Sequence, residues 1–181
     1  MFYPESAMLH LEPLRKNRRA GFTLVEILIV VIILGIMATI VIPQFSNASL
    51  QAKENTMKDD LRYLRIQIEV FKAQHRDTPP GYPAGVVTAT ASEQDFLDQM
   101  MHYTDDSCGT STTATATKKF GPYLSKMPPN PVNSSTDIMI VGPGPLPTPD
   151  ATTGWIYQPS TQQIIANLTG NDNTGMAYSK Y

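Results

Sequence analysis

One apolar segment, residues 22–42, constrains this chain more than any other feature of its sequence. Only Thr23, Glu26 and Thr39 interrupt it with polar side chains. An α-helix of this length, at about 1.5 Å per residue, spans ~31 Å, which matches the hydrocarbon core of a bilayer. A cleaved secretory signal is the alternative, but its apolar core usually holds about 7–15 residues. The segment therefore predicts one membrane-spanning helix.

Charges on the two sides of this segment predict its orientation. A basic cluster, RKNRR at residues 15–19, stands directly before it, whereas the first charged residue after it is Lys53. Since cytoplasmic loops are enriched in lysine and arginine, the N-terminus is expected in the cytoplasm. Everything after about Pro43 is then expected on the other side of the membrane.

Glu26 is an acidic residue inside the apolar segment. A carboxylate at mid-depth in a bilayer costs about 2.5–3.5 kcal/mol, and less near the interface. Glu26 lies about four residues, ~6 Å, inside the segment, so its side chain can reach the headgroups. Alternatively, it pairs with a positive group at the same depth. Hydrolysis after Gly21 would give Phe22 an α-amino group with a pKa of about 7.7–8.0, which suits Glu26 of an adjacent copy.

The sequence GFTLVE at residues 21–26 follows a basic stretch and opens an apolar helix. This combination resembles the class III signal of type IV pilins and of the pseudopilins of type II secretion. The resemblance implies cleavage by a prepilin peptidase between Gly21 and Phe22. It also implies N-methylation of Phe22 and a role for Glu26 in assembly.

The same resemblance divides the N-terminal region and implies partners. Residues 1–21 would form a cytoplasmic leader, which an internal start at Met8 would shorten, and residues 22–43 would form the transmembrane and assembly helix. Pro43 matches a position at which many of these subunits carry proline. The mature chain would join a homo-oligomeric filament, built by an inner-membrane assembly platform with minor pseudopilins and in contact with membrane lipid.

Residues 44–76 are expected to continue the same helix in amphipathic form. Their apolar residues recur at spacings of 7, 4, 3, 4 and 3, which places them on one face. The breaker TPPG at residues 78–81 ends the helix. Pro43 predicts a kink, with Gly35 as a second weak point, or it merely marks the membrane exit. The apolar face consists of Leu50, Met57, Leu61, Leu64, Ile68 and Phe71, and the expected solvated face of Glu54, Lys58, Arg62, Arg65 and Lys72.

Residues 77–181 are expected to form a soluble head of the α+β class. Ser92 with Asp95 predicts the N-cap of a short helix. A small antiparallel sheet, packed on the amphipathic half of the long helix, would bury both apolar faces in the pilin-like arrangement. Three apolar runs bounded by turn residues predict its strands, at residues 137–141, 154–157 and 163–168.

Two segments of the head resemble the major pseudopilins of type II secretion. They are GPYLSKMPPNP at residues 121–131 and the stretch of residues 154–167, which begins GWIY and ends IAN. In that family the major subunit often carries calcium in its C-terminal loop. Asn171, Asp172 and Asn173 offer oxygen ligands for such an ion, with a simple turn cluster as the alternative.

Several chemistries lack support in the sequence. The chain shows none of the common catalytic or nucleotide-binding motifs, and its three histidines stand apart without ligand spacing, so no enzyme is expected. Its net charge is −2, and no basic stripe with interleaved aromatic residues is present, so no nucleic-acid partner is expected. Cys108, the only cysteine, lies in the polar run 104–117, which predicts a flexible loop. It is expected to be an inert thiol, with an intermolecular disulfide as the alternative.

The sequence thus predicts a type II secretion pseudopilin that polymerises to drive protein export. It would begin in the bacterial inner membrane, with its head in the periplasm, and end in a periplasmic or surface filament. An adhesive or motile type IV pilus subunit is the first alternative. A single-pass anchored periplasmic binding protein, in which Glu26 only reaches the headgroups, is an alternative of another class.

Overall fold

The computed structural model describes residues 21–181. The basic cluster and Met8, which the sequence analysis assigned to the leader, lie outside the described residues. The chain divides into two compact units, Met1–Pro43 and Gln44–Tyr181, which are considered separately.

Helix α1 comprises Leu24–Gln74 and includes Pro43. In the first unit its large apolar side chains are each 42–83% exposed. The helix contains an 18-residue window with a mean hydropathy of 3.1, which is long and apolar enough to cross a membrane. Such a surface needs lipid or protein around it, because water would solvate it poorly.

In the second unit, α1 presents the expected apolar stripe to the core of the head. Leu50 is 40% exposed and is the one expected stripe residue outside this core. Glu54, which was expected in solvent, is 1% exposed, so that prediction was wrong. Beyond Gln74 the backbone turns left-handed at Arg76 and Asp77, with φ of 55° and 66°, before the prolines of the breaker. The buried stripe consists of Met57, Leu61, Leu64, Ile68 and Phe71.

A short helix and two small sheets complete the head. Helix α2 comprises Glu93–Met101, and the Ser92 hydroxyl accepts a hydrogen bond from Asp95 N at 3.1 Å, which confirms the predicted N-cap. Strands β1, Tyr103–Thr104, and β2, Thr110–Ser111, form an antiparallel pair. A second sheet has the order β3–β4–β5, with bounds Ile138–Ile140, Trp155–Gln158 and Gln163–Ala166. Two 3₁₀ turns lie at Pro83–Gly85 and Tyr178–Lys180.

The three-stranded sheet confirms the α+β class, but one pairing differs from the antiparallel sheet that was expected. β4 and β5 are antiparallel, whereas β3 and β4 run parallel. A parallel pair needs a connection of about a dozen residues or more, and residues 141–154 supply one rich in proline and glycine. Gly154 is the last residue of this connection. A side chain would not fit there, because its Cβ would clash with the Ser135 main-chain oxygen.

The polar run at 104–117 holds more regular structure than the sequence predicted. The Asp105 carboxylate accepts hydrogen bonds from Ser107 N at 3.0 Å and from Gly109 N at 2.9 Å. Lys118 Nζ lies 3.5 Å from the other oxygen of Asp105. An aspartate that binds the backbone two residues ahead is a turn signal, and here it closes the β1–β2 hairpin.

Tyr157 offers a test of the core. Its hydroxyl is the buried side-chain polar atom of residues 21–181 that has no hydrogen-bond partner, and burial raises its pKa. Because an unpaired buried hydroxyl is destabilising, we expect Tyr157→Phe to raise the free energy of unfolding by about 1 kcal/mol. The measurement is denaturant unfolding of the full chain in detergent. Tyr178→Phe is the matched control and should lower stability, because the Tyr178 hydroxyl donates to buried Glu54 at 3.0 Å.

His75 predicts a pH dependence of stability. It is 1% exposed, with Nδ1 2.6 Å from the Phe71 carbonyl oxygen and Nε2 2.9 Å from the Thr104 hydroxyl. Burial lowers its pKa, so the unfolded chain binds more protons and stability falls as pH drops below about 6.5. We expect the thermal midpoint to fall between about pH 7 and pH 5, and His75→Gln to flatten part of this slope. An unchanged slope in the variant would contradict the role of His75.

Candidate processing and assembly site

The peptide bond between Gly21 and Phe22 lies in an irregular segment directly before α1. Residues 21–23 have no regular secondary structure, and helix α1 begins at Leu24. Phe22 is 79% exposed. A peptidase needs access to the bond it cleaves, and the residues on the C-terminal side of this bond are exposed.

Glu26 caps the start of α1 together with Thr23. The Thr23 hydroxyl accepts a hydrogen bond from Glu26 N at 3.1 Å, and the Glu26 carboxylate accepts one from Thr23 N at 3.4 Å. This reciprocal pair is a capping box, and a carboxylate in the first turn also interacts favourably with the helix dipole. The sequence analysis missed this role, although the pattern T-x-x-E signals it.

The capping box brings Glu26 close to the site of the proposed new charge. Cleavage after Gly21 would create the α-amino group on Phe22, one residue before Thr23. The Glu26 carboxylate is therefore held at the end of the helix where that amine would appear. An amine of the same chain and an amine of a neighbour would compete for it.

At Pro43 the helix α1 lacks one backbone hydrogen bond. Proline lacks the N–H that would bond the carbonyl four residues before it, which belongs to Thr39. The Thr39 hydroxyl donates to the Ile36 carbonyl oxygen at 2.7 Å, an added bond within the same turn. Helix α1 continues through Pro43, and the kink there stays a prediction.

Asp172 lies in the candidate calcium loop, where proton donors occupy its carboxylate. One oxygen accepts from Thr174 N at 2.8 Å, from the Thr174 hydroxyl at 2.7 Å and from Met176 N at 2.8 Å. The other accepts from the Tyr181 hydroxyl and lies 3.8 Å from Lys58 Nζ. The Tyr181 hydrogen bond, followed by those from Thr174 and Met176, holds the pKa of Asp172 well below its usual range.

These contacts do not fit a calcium site. A calcium ion takes six to eight oxygen ligands, and it would have to displace the donors that already surround Asp172. Within residues 21–181, no group of three or more histidine, cysteine, aspartate or glutamate side chains is placed to hold a metal. The loop instead has the geometry of a hydrogen-bonded turn.

Three side chains of α1 that were expected in solvent, Glu54, Lys58 and Arg65, contact the C-terminal part of the chain. The Glu54 carboxylate accepts from the Tyr178 hydroxyl, and Lys58 Nζ lies 4.3 Å from the centre of the Tyr181 ring. Arg65 donates to the Ile164 carbonyl oxygen at 2.9 Å and to the Tyr181 main-chain oxygen. The positions of Glu54, Lys58 and Arg65 in the helix gave no sign of these contacts, because the partner residues lie more than 90 residues away along the chain.

Cys108 is buried, with 3% of its surface exposed. Burial, followed by the charges of Asp105 and Asp106, raises the pKa of its thiol to about 11. Since the thiolate is the reactive form, these surroundings favour the inert thiol that the sequence suggested.

Asp172 provides a test of the C-terminal loop. We expect Asp172→Ala to lower the thermal midpoint of the full chain in detergent, because two backbone N–H donors, two hydroxyl donors and Lys58 lose their acceptor. Adding EDTA to the unmodified chain should leave the midpoint unchanged. Asn173→Ala, an exposed neighbour, is the matched control. A fall in the midpoint with EDTA that calcium reverses would contradict the hydrogen-bonded turn.

Comparison with known proteins gives one family model and several similar proteins. Residues 16–42 match the family model described as the prokaryotic N-terminal methylation motif. The chain is 33% identical over 84 residues to the type II secretion system core protein G of Pseudomonas aeruginosa, which covers 45% of this chain and 59% of the relative. A core protein G of Aeromonas hydrophila is 30% identical over 66 residues, covering 36% of this chain and 46% of the relative.

A pilus protein is also similar. The chain is 32% identical over 106 residues to the type IV major fimbrial protein FimA of Dichelobacter nodosus, which covers 59% of this chain and 61% of the relative. The chain thus spans less than two thirds of the length of these relatives. No solved structure matches the chain.

Proposed function

We propose that this chain is a structural subunit of a pilus-like filament, on the premise that it is homologous to core protein G of type II secretion and to the fimbrial protein FimA and carries the N-terminal methylation motif. One observation carries the proposal. The sequence GFTLVE places a cleavable bond, a phenylalanine and a carboxylate at the first turn of an exposed apolar helix.

Processing is the first step of the proposed function. A prepilin peptidase cleaves between Gly21 and Phe22 on the cytoplasmic side of the inner membrane, and the amine of Phe22 is then methylated. The apolar helix holds the chain in the membrane, with the basic leader in the cytoplasm and the head in the periplasm. Cleavage removes the basic residues that favoured the cytoplasm and leaves a single positive group at the helix start.

Assembly follows from the loss of lipid around α1. When a subunit leaves the bilayer, the exposed side chains of residues 22–42 need a new apolar environment, and other copies of the same helix supply it. Glu26 pairs with the Phe22 amine of an adjacent copy, because an unpaired carboxylate inside such a core is destabilising. An inner-membrane assembly platform and minor pseudopilins would provide the machinery for this step.

The head favours the secretion role over the alternative pilus role. The segment GPYL is a structural part of the core, since the N–H groups of Tyr123 and Leu124 both donate to the Met100 carbonyl oxygen at 2.9 Å. Trp155 Nε1 donates to the Pro128 carbonyl oxygen at 2.9 Å, which joins this segment to the sheet. These are the two segments that resemble the major pseudopilins. FimA supports the second candidate, a type IV pilus subunit for adhesion or motility.

Two variants test the proposal in cells that contain a prepilin peptidase and a type II assembly platform. We expect Gly21→Leu to remain at precursor length and to form no filaments, because a bulky residue blocks the peptidase. We expect Glu26→Gln to be shortened normally and to accumulate in the membrane, but to assemble poorly. Immunoblots of the membrane and sheared fractions measure both effects.

The outcomes separate the classes of function. A Gly21→Leu chain that is shortened and assembles like the unmodified chain would refute processing at this bond. Normal filament yield from Glu26→Gln would refute the pairing with the amine. An unmodified chain that stays in the membrane as a monomer would instead support the anchored binding protein.

A further inference from the structure

The second unit exposes oppositely charged side chains on two sides of α1. Asp60 and Arg62 lie two residues apart, so they project about 200° apart around the helix axis. Each stands beside a groove where α1 meets another part of the head. The two grooves differ in charge and in the chemistry of their walls.

On one side lies the basic flank, defined by Lys58, Arg62 and Arg65 with the Tyr181 ring. Lys58 faces Asp172, and Arg65 donates to two main-chain oxygens, so both cations have partners within the head. Arg62 is exposed and takes part in no salt bridge or hydrogen bond with the residues that the structure describes. It is the cation of this flank that is free to bind outside the chain.

On the other side lies the acidic groove, defined by Asp60, Tyr63 and the prolines 128, 129 and 131. Asp60 is half-buried and forms no ion pair within residues 21–181, although Lys126 lies at the rim of the same groove. Burial and the neighbouring charge of Asp59 raise the pKa of Asp60. The Asp60 carboxylate has the negative charge of Asp59 beside it and no cationic partner within residues 21–181, so a cation placed next to it would be attracted.

The walls of the acidic groove suit an arginine side chain. Asp60 supplies a carboxylate, which a guanidinium can bind through two parallel hydrogen bonds. Tyr63 is 42% exposed and offers a ring face for a cation–π contact. The prolines provide a rigid apolar wall for the methylene groups of the side chain. Lysine would fit less well, because it lacks the planar fork.

We propose that the basic flank of one copy of this chain docks on the acidic groove of a second copy, with Arg62 of the first against Asp60 and Tyr63 of the second. The two surfaces lie on different sides of one molecule, so each copy can bind one neighbour with each side. Such head-to-tail contacts leave a free surface at both ends and extend into open filaments rather than closing as dimers. The inference rests on the proposed filament function and adds a contact between heads to it.

Charge exchange in the full-length chain tests the contact, in cells that contain the prepilin peptidase and the assembly platform. We expect Arg62→Glu alone and Asp60→Lys alone each to reduce sheared filaments about tenfold or more, because each places like charges opposite one another. The two variants expressed together should assemble in alternation. The two reversed charges then face each other at one contact, and the two unaltered charges face each other at the next. A single chain with both changes should assemble as well.

Control variants separate this contact from folding and from net charge. Lys119→Glu changes the charge by the same amount on an exposed site away from α1 and should assemble normally. Arg62→Lys should assemble less well than the unmodified chain but better than Arg62→Glu. Rescue in the mixture cannot come from a misfolded chain, so it distinguishes a lost contact from a lost fold.

Three results decide the matter. Filaments from the unmodified chain with equal yield from Arg62→Glu would overturn the contact and leave the filament function standing. Loss in both single variants without rescue in the mixture or the double variant would also overturn it. Absence of filaments from the unmodified chain would count against the proposed function itself.

Discussion

The packing of one apolar stripe of α1 into the head is the interaction on which the soluble structure depends. Met57, Leu61, Leu64, Ile68 and Phe71 are each at most 1% exposed, and Trp155 and Tyr157 of β4 belong to the same core. A sheet of three short strands buries too little surface to be stable by itself. The helix therefore supplies the second layer that the sheet requires, and the head is organised along it.

The charged and polar groups around this core are satisfied by long-range contacts. Glu54 is buried against Tyr178, Asp172 accepts from four donors, and Arg65 reaches the carbonyl oxygen of β5. A buried carboxylate without such donors would be strongly destabilising. These contacts tie the last residues of the chain to α1. Arg62 and Asp60 are among the charged side chains of residues 21–181 that these contacts leave unpaired, and they are the two proposed to meet between copies.

The start of α1 combines local stability with the chemistry proposed for it. Thr23 and Glu26 cap one another in the isolated chain, which satisfies N–H groups that would otherwise be unpaired at the helix start. The proposed cleavage would add the Phe22 amine to the same few residues. In the proposed filament, the Glu26 carboxylate would bind either the N–H groups of its own helix end or the amine of a neighbouring subunit, depending on how closely the subunits pack.

The sequence by itself determined the features that depend on local pattern. They are the apolar segment 22–42, the stripe of α1, its end before the two prolines and the Ser92 cap, because each follows from periodicity or from a neighbouring residue. Tertiary structure alone decided the parallel pairing of β3, the burial of Glu54, the donors around Asp172 and the grooves beside Arg62 and Asp60. Each of these depends on segments distant in the chain, and their side chains have no local pattern that reveals which partner the fold will bring to them.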